Sequence, residues 1–174
     1  GAGSAGAVVA SRLSENPDFE VLLLEAGDGE TGINYTPAFS IFSYQTEQDW
    51  NFTTESSSKY CLAMMNNECA YYQGRILGGS SAINGMVYVR GNKRDYDEWA
   101  EMGNYGWSFE EVLPYFKKSE DNRNLTFAKD SFSSTQFTIR DGFRCSTNRA
   151  FLLPVGKRKN IDIARNSHVT KVFL

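Results

Sequence analysis

Small and apolar residues run from Ser4 to Ser14 behind a glycine-rich start, a stretch that reads as a helix. Asn16-Pro17-Asp18 ends it, because proline disfavours helical geometry in the residue before it. Phe19-Glu20-Val21-Leu22-Leu23-Leu24-Glu25 is then nearly continuous in apolar residues, the pattern of a buried strand. Between Gly27 and Ser58 the chain is polar and aromatic without sustained period, so it reads as a long excursion from the core. Periodic structure returns with two helices, Asp95 to Met102 and Ser108 to Ser119, the second opened by the capping box Ser108-Phe109-Glu110-Glu111. Trp99, Trp107, Leu113, Tyr115 and Phe116 on and between them are expected to be core rather than the lining of a cavity. Lys117-Lys118 beside Glu120-Asp121 reads as a solvated helix end. Asn160 to Val172 reads as two short strands, and the whole pattern is α/β and Rossmann-like.

The glycines in front of the first helix change the picture from fold to ligand. Gly1-Ala2-Gly3-Ser4-Ala5-Gly6, followed by helix, strand and Glu25, has the order of a dinucleotide-binding fingerprint. In that pattern Gly1 permits the tight turn, Gly3 lets backbone approach a pyrophosphate, and Gly6 lets the helix lie close on the sheet. The phosphates sit at the helix N-terminus, where free N–H groups and the helix dipole favour negative charge. Glu25 is placed to accept ribose hydroxyls. By themselves these residues fit NAD as well as FAD. A fingerprint also needs a strand to launch its turn, and the sequence supplies none before Gly1, so an incomplete fold lacking its first strand is expected.

At 174 residues, 41% of them hydrophobic, the chain is long enough for one domain with a core. A formal net charge of -3 offers no basic face, so no nucleic-acid partner is expected. No apolar run approaches a membrane span. Asn51-Phe52-Thr53 and Asn124-Leu125-Thr126 are N-glycosylation sequons. Cys61 and Cys69 are close enough for a small disulfide loop, leaving Cys145 as an odd, buried thiol. Sequons and cysteines together point to an extracellular or secretory-pathway protein. No metal site is expected.

A second block, Gly74-Arg75-Ile76-Leu77-Gly78-Gly79-Ser80-Ser81-Ala82-Ile83-Asn84-Gly85-Met86-Val87-Tyr88-Val89-Arg90-Gly91 with Asp97 beyond it, joins paired glycines and serines to a short apolar stretch. Its N–H and hydroxyl groups suit an anionic or heteroaromatic ligand; the plainer reading is a glycine-rich loop leading into a packed helix. The stretch resembles the first signature of the glucose-methanol-choline oxidoreductases, and Gly1 to Gly27 is similar to that family's flavin fingerprint. Asp49-Trp50-Asn51-Phe52, Tyr96-Asp97-Glu98-Trp99, Gly106-Trp107-Ser108, Val112-Leu113-Pro114-Tyr115-Phe116, Arg144-Cys145-Ser146-Thr147 and Ala150-Phe151-Leu152 resemble insect-type members.

The resemblance implies FAD as cofactor. It also implies an alcohol substrate such as a sugar, sterol or choline-like compound, and a quinone or oxygen as electron acceptor. Carried over residue by residue, it implies Gly1, Gly3, Ser4, Ala5 and Gly6 at the pyrophosphate and Glu25 at the ribose. Arg75, Gly79, Ser80, Asn84, Gly85, Met86 and Val87 then lie along the flavin and pyrophosphate, with Val169 against the adenine. On residue type alone Val169 is a strand core position. His168, the one histidine, matches the adenine-side segment and is expected to be structural; the family's catalytic base lies beyond the end of this chain, so no catalytic residue is assigned.

The resemblance makes residues 1–174 a partial N-terminal FAD-binding domain, its C-terminal part missing, with 28–72 and 108–140 as excursions or shortened substrate-domain segments. Asp121 to Phe137 crosses an interval that is substantially longer in the family, and a deletion there is expected to leave apolar faces uncovered. Two other readings stay open: a non-catalytic flavin-binding or structural remnant, and an NAD-dependent dehydrogenase.

Overall fold

A computed structural model describes residues 1–122 and 135–173. In chain order the regular elements are α1 (Ser4–Leu13), β1 (Val21–Leu24), α2 (Gly32–Tyr35), β2 (Phe52–Thr53), β3 (Ala70–Tyr71), β4 (Val87–Tyr88), α3 (Lys93–Glu101), α4 (Phe109–Ser119), β5 (Gln136–Phe137), β6 (Ile139–Arg140), β7 (Phe143–Arg144) and β8 (Ile161–Ala164). They fall into two compact units, Gly1–Met86 with Thr138–Leu174, and Val87–Phe137.

The first unit is built on β1 and β8, which run parallel with Val21 opposite Ile161 and Leu24 opposite Ala164. α1 lies on this pair through small residues: Ala2, Ala7 and Ala10 are buried together with Leu23, Leu152, Val155 and Ile161. Alanines on the buried face let the helix approach closely, and the larger side chains of the 148–155 segment fill the remaining space. That segment is a wide-turned helix, Asn148–Leu152, running into a tight turn at Leu153–Val155. The C-terminal end of α1 is satisfied from far along the chain. Arg158 Nη1 donates to the Ser11 carbonyl and to Ser14 Oγ, each at 2.8 Å. Asn160 Nδ2 donates to the carbonyls of Ser14, Asn16 and Phe19 at 3.0 to 3.1 Å. A guanidinium is favourable at a helix C-terminus, where carbonyls lack intrahelical partners.

The excursion after β1 contains α2, a tight helical turn at Pro37–Ser43, and the β2–β3 hairpin, whose connection holds the Cys61–Cys69 disulfide. Beyond it the second glycine block forms only one helical turn, Gly79–Ala82, with Ala82 and Ile83 buried beside Ile76.

The second unit holds the antiparallel pair β4–β5 and the helices α3 and α4. Lys93 pairs with Asp97 along α3, and Asp97 Oδ1 accepts from the Phe109 N–H at the start of α4 at 3.1 Å. The expected Ser108 capping box is present, Glu111 accepting from the Ser108 N–H at 3.1 Å. Tyr96, Trp99, Trp107, Phe109 and Phe116 form a chain of ring contacts with centroids 5.4 to 5.9 Å apart.

Several expectations are corrected. β1 is four residues long and Phe19 is exposed, because the turn tied down by Asn160 occupies the residues before Val21. One strand, not two, is present among the described residues after Asn160, since from Arg165 onward the backbone leaves β1. Trp99, Trp107 and Tyr115 are exposed rather than core, Tyr115 at 72%; neither α3 nor α4 buries a residue completely. Glu120 is not solvated: it pairs with Arg90, its side chain only 16% exposed. Cys145 is half-buried, between fully buried Arg144 and Ser146. Most of the Asp121 to Phe137 interval, with the Asn124 sequon, lies outside the described residues.

Candidate cofactor site

The two glycine blocks meet backbone to backbone. Gly78 N–H donates to the Ala2 carbonyl at 2.8 Å, and a Cβ placed on Gly79 would lie 2.7 Å from the Gly3 Cα. Gly79 has φ +54° and Gly78 φ +92°, left-handed backbone that glycine adopts without strain. Gly6 is as constrained, since a Cβ there would lie 1.9 Å from the Gly1 carbonyl oxygen. Glycine at these positions lets the loop before α1, the start of α1 and the Gly79 turn occupy one small region.

α1 begins at Ser4 with Gly3 as N-cap and no side-chain cap, and Ser4 and Ala5 are exposed. The first intrahelical bond runs from the Ala7 N–H to the Gly3 carbonyl, so the N–H groups of Ser4, Ala5 and Gly6 point out of the helix end. They form the donor set an anion would use.

Glu25 sits directly behind this loop, 6% exposed. Its Oε2 accepts from the Ala2 N–H at 2.7 Å and its Oε1 from the Gly27 N–H at 2.8 Å. Each carboxylate oxygen retains a second acceptor direction. The carboxylate thus holds the fingerprint loop and the turn after β1 together, while keeping lone pairs for a hydroxyl donor. The chain leaving β8 follows the same turn: Ser167 N–H donates to the Glu25 carbonyl and Asn166 N–H to the Gly27 carbonyl.

Arg75 runs beside that turn, its guanidinium 5.4 Å from the Trp50 ring and its Nε buried without a hydrogen-bond partner among the described residues. Ser80 Oγ accepts from the Gly74 N–H at 3.2 Å. Asn84 Oδ1 accepts from the Met86 N–H at 3.1 Å, and Met86 is buried with φ +63°. An unbranched residue in left-handed backbone beside Gly85 is a strained turn held by its neighbours, here by Thr138, whose N–H donates to the Met86 carbonyl at 2.8 Å. Val87 belongs to the second unit, exposed and opposite Phe137 in β4–β5.

The structure therefore brings Gly1, Gly3, Ser4, Ala5, Gly6, Glu25, Arg75, Gly79 and Ser80 into one neighbourhood within the first unit, with Asn84, Gly85 and Met86 on the strand of chain leading away from it. Val169 is 49% exposed, not core, on the chain that leaves β8. His168 is exposed and sits edge-on to Trp50, ring centroids 5.4 Å apart.

Residues that sequence reasoning passed over support this site. Arg144, fully buried, reaches across 60 or more residues of chain: Nε donates to the Asn34 carbonyl at 2.8 Å, and Nη1 to the Asn84 carbonyl and Oδ1 at 2.7 and 2.8 Å. Burial lowers its pKa from the usual guanidinium value, opposed by the nearby Glu30 carboxylate. Ser81 and Thr147 clasp the Gly78 turn, Ser81 Oγ donating to the Gly78 carbonyl at 2.6 Å and accepting from the Thr147 N–H at 3.0 Å. Gly27 and Gly74 are also close approaches, a Cβ on either lying 2.0 or 2.3 Å from the carbonyl oxygen of Arg75 or Gly79. Their visible signal was membership of the Gly1-to-Gly27 fingerprint and of the Gly74 and Arg144 motifs, without a role attached.

Known proteins are similar to this chain in sequence and in fold. The family model for GMC oxidoreductase matches residues 1–134. The whole chain aligns at 38% identity with glucose dehydrogenase (FAD, quinone) of Drosophila pseudoobscura pseudoobscura, covering 35% of that protein. It aligns at 32% with oxygen-dependent choline dehydrogenase of Vibrio vulnificus, covering 39%. Among solved structures, pyridoxine 4-oxidase from Mesorbium loti superposes over the whole chain with a TM-score of 0.86 at 27% identity, covering 42% of that chain. This chain thus spans between a third and about two fifths of the curated relatives' length. With the family match extending over most of the sequence and the fold agreeing, this chain belongs to the GMC oxidoreductase family.

Proposed function

We propose that this chain forms the cofactor-holding part of an FAD-dependent oxidoreductase that acts on the CH–OH group of an alcohol. The observation that carries the reading is the junction of the two glycine blocks. Gly3 and Gly79 leave no side chain between their backbones, and the uncapped start of α1 opens beside them. A pyrophosphate fits that donor set, and the buried Arg75 Nε, without a partner among the described residues, offers a further charged donor.

In this reading the N–H groups of Ser4, Ala5 and Gly6 bind the pyrophosphate, with Gly1 and Gly3 permitting its approach. Glu25 accepts from the adenosine ribose while its two backbone bonds fix the carboxylate in place. Gly79, Ser80, Asn84, Gly85, Met86 and Val87 form the loop along the flavin side, and Val169 contacts the adenine. Arg144 and Thr138 hold Asn84 and Met86, which keeps that loop in one conformation before any ligand arrives. Bound FAD supplies hydride acceptance from the substrate carbon at N5. Residues 28–72 and 108–140 are read as excursions from this domain or as shortened substrate-domain segments.

Likeness to the Drosophila enzymes supports a sugar as donor and a quinone as acceptor. The Cys61–Cys69 disulfide supports an extracellular or secretory-pathway location. The deciding experiment is visible spectroscopy of the purified full-length protein. Oxidised-flavin absorbance that bleaches on adding glucose or another alcohol is expected. A colourless protein that binds NAD overturns the reading, and a yellow one indifferent to every alcohol reduces it to flavin binding without catalysis.

A further inference from the structure

Asn51-Phe52-Thr53, an acceptor sequence for an N-linked glycan, has no part in flavin binding as described above. A sequon by itself is a frequent coincidence, so its surroundings decide. Asn51, Phe52 and Thr53 are all exposed. Trp50 and Phe52 stack on each other with centroids 5.9 Å apart and rings parallel to within 1°. The Asn51 amide is engaged separately, Nδ2 donating to the Thr46 carbonyl in an exposed bond of 3.3 Å. A primary amide carries two N–H donors, so this bond leaves one hydrogen free for replacement. The connection from Thr53 to the other strand of its hairpin also contains the Cys61–Cys69 disulfide. Disulfides form in the oxidising lumen of the secretory pathway, the compartment in which N-linked sugars are attached.

We propose that Asn51 is N-glycosylated during passage through the secretory pathway. The donor is an oligosaccharide carried on a lipid pyrophosphate. The amide nitrogen forms a bond to the anomeric carbon as the bond from that carbon to the phosphate oxygen breaks. The lipid pyrophosphate leaves with the bonding pair, and the amide gives up one proton. No oxidant or reductant takes part.

Asn51 also has a conformational reason to be asparagine, since its φ of +55° lies in the left-handed region that asparagine tolerates better than most residues. The test therefore avoids bulky replacements there. Thr53→Ala removes the hydroxyl that the sequon requires and leaves the Asn51 turn intact, Thr53→Ser preserves the sequon, and Asn51→Asp keeps a residue suited to the backbone.

The full-length protein, expressed in cultured insect cells, is digested with an N-glycosidase in heavy-oxygen water and its peptides mapped by mass spectrometry. Conversion of Asn51 to labelled aspartate is expected in the wild type and in Thr53→Ser, with loss of the glycan mass at this position in Thr53→Ala and Asn51→Asp. Recovery of unmodified Asn51 from the wild type overturns the proposal, whether the protein is secreted or kept in the cytosol. So does a glycan found at Asn124 alone. Should Thr53→Ala fail to fold, the wild-type map decides without it. None of these outcomes depends on flavin binding.

Discussion

Replacing Glu25 tests whether the fingerprint loop is held by a buried double acceptor. Both carboxylate oxygens accept backbone N–H groups, from Ala2 at 2.7 Å and from Gly27 at 2.8 Å, in a side chain almost closed to water. Glutamine has one acceptor oxygen and one NH2. Whichever way its amide turns, either Ala2 or Gly27 faces a donor. A buried donor left unsatisfied costs about 1–3 kcal/mol, so Glu25→Gln should destabilise the protein by that amount. Glu25→Ala strands both N–H groups, about 2–6 kcal/mol if the two sites add. The loss passes to the candidate site, because the Ala2 carbonyl is the acceptor for Gly78 at the junction of the glycine blocks. Denaturant unfolding of flavin-free full-length protein measures the first effect, and flavin absorbance per mole of protein measures the second. Two variants that both stay within about 0.5 kcal/mol of wild type, the range of an ordinary surface change, would refute the anchoring argument. Lowered stability with full flavin occupancy would retain the anchor and remove the ribose contact.

Other changes probe other contacts. Gly6→Ala should abolish flavin retention, because its Cβ would lie 1.9 Å from a backbone oxygen that has no side chain to move; normal flavin content in the purified variant would count against the helix-start geometry. Arg144→Met removes donors to Asn34 and Asn84 and should lower stability by at least about 3 kcal/mol, given charged hydrogen bonds of about 1.5–3 kcal/mol each, read as an unfolding midpoint. The hydrogen bond from Lys93, followed by that from the Phe109 N–H, holds the Asp97 carboxyl below its usual pKa. A depressed carboxyl stabilises the fold above its unfolded pKa and loses that contribution as pH falls through the lower folded value. Nuclear magnetic resonance titration of Asp97 should therefore give a midpoint below the ordinary aspartate range, and Lys93→Met should raise it. Reduction of Cys61–Cys69, which are 8 residues apart, should cost about 2.5 kcal/mol by loop-closure entropy, measured as a thermal shift with and without reductant.

Local rules in the sequence were enough for α1 and for the capping box of α4, because a helix start depends on residues three or four apart. The glycine blocks were legible for a similar reason: backbone that must approach another backbone or turn left-handed excludes side chains, and that exclusion is written residue by residue. The aromatic residues of α3 and α4 misled, since an amphipathic pattern does not say what covers its apolar face; in this chain the rings contact one another and remain partly exposed. Among the described residues no second strand forms near His168, because the backbone there bonds to the turn after β1.

The sequence by itself determined the family, the class of ligand and the positions where only glycine serves. Tertiary structure alone decided how those positions meet. Arg144 reaches Asn34 and Asn84, Arg158 and Asn160 close the end of α1, and Gly79 settles on Gly3, all across contacts separated by tens of residues. Such pairings depend on packing a buried charge or a bare backbone against partners that no local spacing identifies, so they become visible only once the chain is folded.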